Sequence, residues 1–471
     1  MFADGCVDGV FSSHTLEHFT REQTAPILEE WARVIKVGGY MVLYLPSANL
    51  YPKMGENGAN PDHKQDIYPG DIEAIFARGI GKQADGTYHA WTMLECEERG
   101  ETNEYSLYYV FRKEDEKCID GSTIYDKRWQ RNPDGKKRAL VIRYGAIGDM
   151  LQVSSVFPGL KKQGYHLTLM CKDTSYALVK HDPNIDDFIL QAQDFVPNQE
   201  LGSYWASIAP RYDKVINLCE SIEGGLLTLP GRLQHQYPDE ARRKLFGTVN
   251  YLERLHDIAG VPYDFASRFY ATGEEHEWVS KTKWRMSKGA PIVVWCINGS
   301  SAHKVYPWVH IVAAWLVERT NAHIVLMADA GVGVELQGGV MEALQQNSVD
   351  TSRIHPTAGD SDWHIRRSLM FAERSSVLVG PETGPLNSAA LAATKKVIYL
   401  SHSSAENLTK HWHNCITLLP DTEKCPCYPC HRLHSSWEHC HQSAETSAAL
   451  CASAVTPESV FAAIMKQLGA Q

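Results

Sequence analysis

Short apolar segments that alternate with helical patterns constrain the fold of this chain most strongly. RALVIRY at residues 138–144 reads as a buried strand, and the GAIGD turn after it leads into a helical pattern that runs to about residue 162. Further strand patterns follow in YHLTLMCK, DDFILQ and YDKVINL. Strands that alternate with helices at this spacing lie parallel in one sheet, with the helices as crossover connections. The sequence therefore predicts a doubly wound α/β domain over residues 138–282.

The same alternation starts again in the last part of the chain. PIVVWCINGSS, HIVLMAD, SSVLVGPETG and KKVIYLS read as strands, and VYPWVHIVAAWLVE and GPLNSAALAA as helices. We predict a second doubly wound domain over residues 283–471. Two such domains in tandem face each other across a cleft, where ligands usually bind.

The first part of the chain carries a smaller α/β pattern. VDGVFSS and GGYMVLYLP read as strands on either side of the helix TAPILEEWARVI, and residues 91–112 read as a β-hairpin. We predict one unit over residues 1–112. Residues 113–137 are charged and rich in turn-forming residues, which predicts an interdomain linker.

Charge and hydropathy exclude some classes of protein. A net charge of −10 disfavours nucleic acid as a partner, because that binding is driven by neutralising phosphates. The longest apolar runs, such as VLYLP and PIVVWCI, fall far short of the roughly 20 residues that a membrane span needs. The N-terminus lacks the basic start and apolar stretch of a secretory signal, so we expect a cytoplasmic protein.

The GAIGD turn is the first candidate for a ligand site. Gly145 and Gly148 let backbone amides approach a phosphate or acceptor group, and the helix that follows offers free N–H groups. The dinucleotide fingerprint G-x-G-x-x-G is not met, which disfavours nicotinamide binding. Asp149 is either the N-cap of that helix or a chemical group held over a ligand, and one residue can be both.

Three segments together resemble a known family. RALVIRYGAIGDMLQVSSVFPGLKKQGYHLTLMCK followed by PNIDDFI, then INGSSAHKVYPWVHIVAAWL, and then VLVGPETGPLNSAALA resemble, in that order, the glycosyltransferase family 9 proteins, the ADP-heptose:lipopolysaccharide heptosyltransferases. The resemblance implies a GT-B architecture of two Rossmann-like domains. It also implies inverting transfer of a heptose-like sugar from a nucleoside diphosphate sugar to the hydroxyl of a glycan or lipopolysaccharide-type acceptor, with peripheral membrane contact as an option.

The resemblance also assigns site residues. Asp149 falls where the family has its general base, and Lys304 where a lysine meets the nucleotide phosphates. Glu382, Thr383 and Gly384 fall where a loop holds the nucleotide sugar. The structural alternative for Lys304 is a solvated loop lysine, and for residues 382–384 it is a plain strand-to-helix connection.

The motifs depart from the family in two places. In the donor loop the family generally has aspartate where this chain has Glu382, and often histidine where it has Asn387, which we count as a further donor-binding position. Lys304 is followed by VYP, where the family usually has a basic residue, Trp and Pro. The donor sugar can therefore differ from that of the family. A second alternative is a non-catalytic module that binds a nucleotide sugar or glycan.

The N-terminal segment offers two interpretations. HTLEH matches the H-x-x-E-H pattern, in which His14 and His18 on one helix would bind zinc with Glu17 as a base. We favour the other: VDGVFSSHTLEHF, ILEEWARVIKVGGYMVLYLP and NPDHKQDIYPGDIEAIF resemble the later half of a class I S-adenosylmethionine-dependent methyltransferase. The glycine-rich cofactor turn should precede residue 1, so the resemblance implies a truncated or degenerate domain that does not bind S-adenosylmethionine. Methyl transfer remains an alternative function if another chain completes that domain.

Cysteines crowd into CPCYPCHRLHSSWEHC and the following residues. Cys425, Cys427, Cys430 and Cys440 have spacings that could hold zinc or an iron–sulfur cluster. The spacings are irregular, so we favour a structural loop with a disulfide or free thiols. No cofactor is predicted firmly.

Overall fold

A computed structural model describes residues 2–100, 104–119, 121–122, 124–126, 136–190, 201–220, 249–265, 269–431, 437 and 440–469. Its strands are β1 Val7–Ser13, β2 Ile35–Pro46, β3 Tyr88–Arg99, β4 Ser106–Cys118, β5 Ile124–Asp126, β6 Arg138–Ile142, β7 His166–Cys171, β8 Asp187–Leu190, β9 Lys214–Asn217, β10 Ile292–Cys296, β11 His323–Met327, β12 Ile354–Pro356, β13 Val377–Gly380, β14 Lys396–Tyr399 and β15 Cys415–Leu418. Its α-helices are α1 Arg21–Val34, α2 Asp71–Arg78, α3 Ile147–Val153, α4 Phe157–Lys162, α5 Asp173–Val179, α6 Leu201–Ile208, α7 Tyr251–Ala259, α8 Gly273–Ser287, α9 Val309–Arg319, α10 Val332–Gln346, α11 Ile365–Glu373, α12 Gly384–Ser388, α13 Ala405–Leu408, α14 Leu450–Ser453 and α15 Pro457–Leu468. Among the described residues no helix combines the length and apolarity needed to cross a bilayer.

The N-terminal unit is a mixed sheet in the order β1-β2-β4-β3-β5. β1 and β2 are parallel, with α1 as the connection between them, and β3 and β4 form the predicted antiparallel hairpin. Burying large side chains such as Phe76, Trp91 and Phe111 stabilises this unit.

The first part of the predicted linker 113–137 is wrong, because β4 continues to Cys118 and β5 joins the sheet edge. The environment of Lys113 shows why this charged segment belongs to the sheet. Its side chain is buried, and its ammonium donates to the carbonyls of Ala32 and Ile35 at 2.8 Å each, at the end of α1. A charged residue thus sits inside the domain with its hydrogen bonds satisfied. Residues 127–135 of the linker lie outside the described residues.

Two parallel sheets follow, as predicted. The first has the order β8-β7-β6-β9, and the second β12-β11-β10-β13-β14-β15. In each sheet the strand order reverses at the first strand of the domain, as in doubly wound nucleotide-binding folds. In such folds the ligand crevice lies outside the carboxyl ends of the strands, at the point of reversal.

The predicted boundary between residues 282 and 283 falls inside α8. Val279 of this helix packs with Ile292 and Val294 of β10 in one apolar cluster. The helix therefore belongs to the second parallel-sheet domain, and the boundary lies before Gly273.

Side chains tie the two parallel-sheet domains together. The guanidinium of Arg366 on α11 donates to Glu275 at 2.6 and 2.9 Å and to the carbonyl of Leu178 in the other domain at 2.6 Å. Near a different edge of the interface, Asn407 donates to the carbonyl of Val249 at 2.9 Å. These contacts fix the width of the cleft between the domains.

Candidate active site

A deep cleft lies between the two parallel-sheet domains, with a volume of about 1460 Å³. Its walls include the segments after β6, β9, β10 and β13, the strands on either side of the point where the strand order reverses in each sheet. The volume exceeds the roughly 300–1000 Å³ of an ordinary small-ligand pocket, so two reactants can fit. The sequence-predicted residues that line it are Gly145, Gly148, Asp149, Lys304, Glu382, Thr383, Gly384 and Asn387.

Both glycines of the GAIGD turn lie against neighbouring side chains with no room for a Cβ unless those side chains move. Gly145 has a φ of +146°, and a Cβ there would lie 2.9 Å from Oδ2 of Asp149. A Cβ on Gly148 would lie 2.3 Å from Nδ2 of Asn387 in the opposite domain. Gly148 therefore lets α3 and α12 approach across the cleft, whereas the sequence suggested a close approach to a phosphate.

Asp149 caps its helix and also lines the cleft. It lies at the third position of α3, where Oδ2 accepts a hydrogen bond from the backbone N–H of Ala146 at 3.0 Å, so the expected N-cap position is corrected. The carboxylate also contacts a guanidinium nitrogen of Arg143 at 3.1 Å and accepts from the hydroxyl of Tyr251 at 3.2 Å. The side chain stays 15% exposed, so a ligand can reach it.

Arg143 and Tyr251 are site residues that the sequence analysis did not assign. The side chain of Arg143 is buried and donates to the carbonyl of Leu218 at 2.8 Å and to the hydroxyl of Tyr251 at 3.1 Å. A buried guanidinium beside Asp149 favours the charged carboxylate. The one available signal was the basic residue that ends the apolar strand before the glycine turn.

Lys304 lines the donor side of the cleft. It ends the short 3-10 turn Ala302–Lys304 and is buried, with its ammonium 3.4 Å from the hydroxyl of Ser300. A solvated loop lysine would be exposed, so that alternative is wrong. Because Lys304 lines the cleft, its ammonium is placed to meet an anionic ligand there.

Glu382 has a different environment from the one expected of a ligand-binding carboxylate. It is buried, and it accepts hydrogen bonds from the backbone N–H groups of Ser401, His402 and Ser403 at 2.8, 3.2 and 3.2 Å and from the Ser401 hydroxyl at 2.6 Å. Burial alone would raise its pKa, but His402, Lys304 and Ser401 outweigh burial and hold the pKa well below its usual value. The carboxylate therefore organises the loop at 401–403, which in turn lines the cleft through His402 and Ser403.

The remaining predicted donor residues begin α12. Thr383 is the N-cap residue, and a Cβ on Gly384 would lie 3.1 Å from Cγ2 of Ile147 in the other domain. The side-chain oxygen Oδ1 of Asn387 accepts a hydrogen bond from Nε2 of Gln152 at 3.2 Å. This end of the cleft is thus closed by direct contact between the two predicted motifs.

The cysteine-rich segment lies at the edge of the same domain. None of the twelve cysteines, all of which lie in the described part of the chain, forms a disulfide, and the sulfurs of Cys425 and Cys427 are 3.5 Å apart. Cys440 and Cys451 pack into the same small cluster. The structure favours free thiols over a disulfide, while the metal alternative for Cys425, Cys427, Cys430 and Cys440 stays a prediction.

The two parallel-sheet domains with a shared cleft define a GT-B architecture. Three solved structures match the chain. A glycosyl transferase family 9 structure from Veillonella parvula matches at 14% identity and a TM-score of 0.50, covering 70% of this chain and 97% of its own. Escherichia coli ADP-heptose heptosyltransferase II matches at 16% identity and 0.49, with 70% and 98% covered. E. coli heptosyltransferase WaaC with ADP-2-deoxy-2-fluoro heptose matches at 11% and 0.42, with 70% and 99% covered. At 14% identity the likeness to the Veillonella parvula structure shows the fold alone, and this is the fold that the three motifs predicted.

The N-terminal segment has a separate relationship. The profile of a methyltransferase domain family matches residues 1–43. This confirms the predicted methyltransferase-like segment. No protein of curated function matches the sequence.

Proposed function

We propose that this protein is a glycosyltransferase that moves a sugar from a nucleoside diphosphate sugar to an acceptor hydroxyl with inversion at the anomeric carbon. One observation carries the proposal: Asp149 from the first parallel-sheet domain and Lys304 from the second line the same cleft. Displacement at an anomeric carbon needs a carboxylate to take the acceptor proton and a positive charge to stabilise the departing diphosphate.

Each residue has a distinct role in this reaction. Asp149 acts as the general base, held in position by Arg143 and Tyr251. Lys304 binds the diphosphate. Glu382 acts indirectly, since it shapes the loop at 401–403 against which the donor lies.

The resemblance of the three cleft motifs to family 9 makes ADP-heptose the first donor to test, with a lipopolysaccharide-type glycan as acceptor. Calorimetry with a panel of nucleotide sugars, followed by mass analysis of the products, tests the proposal. We expect one donor to bind and its sugar to appear on the acceptor. Binding of a nucleotide sugar without any turnover would instead support the non-catalytic binding module.

Methyl transfer is tested in the same experiment. S-adenosylmethionine is added to the calorimetric panel, and we expect no heat of binding from the chain alone. Saturable binding would contradict this expectation and support the methyltransferase alternative.

Lys304→Met is expected to weaken binding of the donor diphosphate by roughly 10- to 100-fold, because a hydrogen bond to a charged group contributes about 1.5–3 kcal/mol. The flexible methionine chain fills a similar volume and leaves the buried site packed. Calorimetric titration with ADP measures the effect. Lys466→Met, at an exposed position of α15, is the matched control and should bind ADP like the parent. Equal affinity in both variants would remove Lys304 from the phosphate site.

A further inference from the structure

Three side chains of the N-terminal unit form a second candidate site, and none of them lines the cleft. Glu17 and His18 lie in the 3-10 turn Leu16–His18, and His63 lies on a loop that packs against it. One ligand atom of each, namely a carboxylate oxygen and two imidazole nitrogens, lies within 4.8 Å of the other two. The earlier zinc interpretation of HTLEH is wrong in its geometry, because His14 precedes this short turn with a φ of +47° and does not share a helix with His18.

Glu17 is the unusual member. Its side chain is 1% exposed, and among the described residues neither of its carboxylate oxygens accepts a hydrogen bond. Two imidazole nitrogens lie near the carboxylate, Nδ1 of His14 at 3.5 Å and Nε2 of His18 at 3.9 Å, both beyond hydrogen-bond length. A buried carboxylate without donors is costly, so the position calls for a compensating positive charge.

The orientation of His18 fits a metal ligand. Its Nδ1 lies 3.3 Å from the carbonyl oxygen of Asp62, which makes Nδ1 the protonated donor. Nε2 is then the atom with a lone pair, and it faces Glu17. Metal-binding histidines usually donate their other ring N–H to a carbonyl or carboxylate in this way.

The surrounding backbone holds the turn and the loop together. The N–H of Lys64 donates to the carbonyl of Glu17 at 2.8 Å, and the side-chain amide of Gln65 donates to the carbonyl of Leu16 at 2.9 Å. His18 and His63 are only partly buried, so the group is not sealed from solvent. Ligands around a tetrahedral Zn²⁺ at ~2.0–2.2 Å lie ~3.4 Å from one another, so small side-chain shifts complete the site.

We propose that Glu17, His18 and His63 bind a divalent transition-metal ion of the zinc class, with a fourth position open to water or to His14. A carboxylate and two imidazoles suit Zn²⁺ or Co²⁺ better than Mg²⁺ or Ca²⁺, which prefer oxygen ligands alone. The ion neutralises the buried Glu17 carboxylate. It also cross-links the turn that follows β1 to the loop carrying His63, so it stabilises the N-terminal unit.

The 471-residue chain is stripped of metal with a chelator and titrated with Zn²⁺ and with Co²⁺. We expect both ions to bind and to raise the melting temperature. Cobalt held by imidazole and carboxylate shows weak visible bands, whereas cobalt held by the thiols near residue 425 shows an intense near-ultraviolet charge-transfer band. The spectrum therefore distinguishes this site from the cysteine cluster.

Variants assign the ligands. His63→Ala should remove the weak visible bands and lower affinity at this site by more than about 100-fold, beyond the usual effect of an outer-shell partner. His413→Ala, at an exposed position in the last domain, is the matched control and should retain full binding.

Glu17→Gln separates a lost ion from a damaged fold. Without metal this nearly isosteric variant should be at least as stable as the parent, because it removes a buried charge, and it should no longer gain stability from Zn²⁺. Three results would overturn the proposal: visible cobalt bands that persist in His63→Ala, an undiminished zinc-dependent rise in melting temperature in Glu17→Gln, or tight binding of Mg²⁺ without Zn²⁺.

Discussion

Asp149→Asn is expected to lower kcat by about 10²- to 10⁴-fold, the usual contribution of a general base. Asparagine keeps the size of the side chain, and its carbonyl oxygen can still accept from the backbone N–H of Ala146, so α3 stays capped. What it lacks is the ability to take the acceptor proton. Donor affinity should remain at the parental value, because Lys304 and the loop at 401–403 are unchanged.

Steady-state rates and calorimetric donor binding on the same preparations measure this split between kcat and binding. Asp187→Asn is the matched control: it is an exposed aspartate of the same domain, paired with His166 at 2.8 Å, and does not line the cleft. Parental turnover in Asp149→Asn would remove Asp149 from the base role. Loss of both turnover and donor binding would assign it to positioning of the cleft.

Much of this fold is encoded locally, which is why the sequence predicted it. Strands of the two parallel sheets are buried on both faces and so appear as continuous apolar runs, such as RALVI and IVVWC. Glycine turns directly after the first strand of a doubly wound sheet place polar residues at its carboxyl edge. Asp149 and Lys304 follow the first strands β6 and β10, and the segment at 382–387 follows β13, the neighbour of β10. Their convergence on one cleft therefore follows from the topology.

Contacts between distant residues account for what the sequence did not reveal. Lys113 reads as a linker residue, yet carbonyls at the end of α1 satisfy its charge inside the domain. Gly148 reads as a phosphate-binding glycine, yet it makes room for Asn387. The partnership of Tyr251 with Asp149 joins residues far apart in the chain and has no periodic signal.

The hydrogen bonds of Glu382 to residues 401–403 are another contact between segments that are separate in the sequence, and we expect their loss to have a large effect on stability. Glu382→Gln should lower the free energy of unfolding by about 3 kcal/mol. The side-chain oxygen of glutamine can still accept from the backbone N–H groups of residues 401–403, but those bonds lose the strength that a charged acceptor gives, and the NH2 group cannot accept from the Ser401 hydroxyl. Denaturant unfolding at neutral pH measures the difference. Glu335→Gln, at an exposed position of α10, is the control and should match the parent.

The direction of the pKa shift of Glu382 determines how this stability difference changes with pH. The pKa of Glu382 is lowered on folding, so its contribution to stability is fully present above the unfolded-state value of about 4.3 and is lost as the pH falls through the lower folded value. The stability difference between parent and Glu382→Gln should therefore be constant near neutrality and shrink below about pH 4.3. A difference that stays constant into strong acid would mean that the glutamine variant is destabilised by packing. Glu382 would then act through its shape, and the loop at 401–403 would be held by contacts other than its charge.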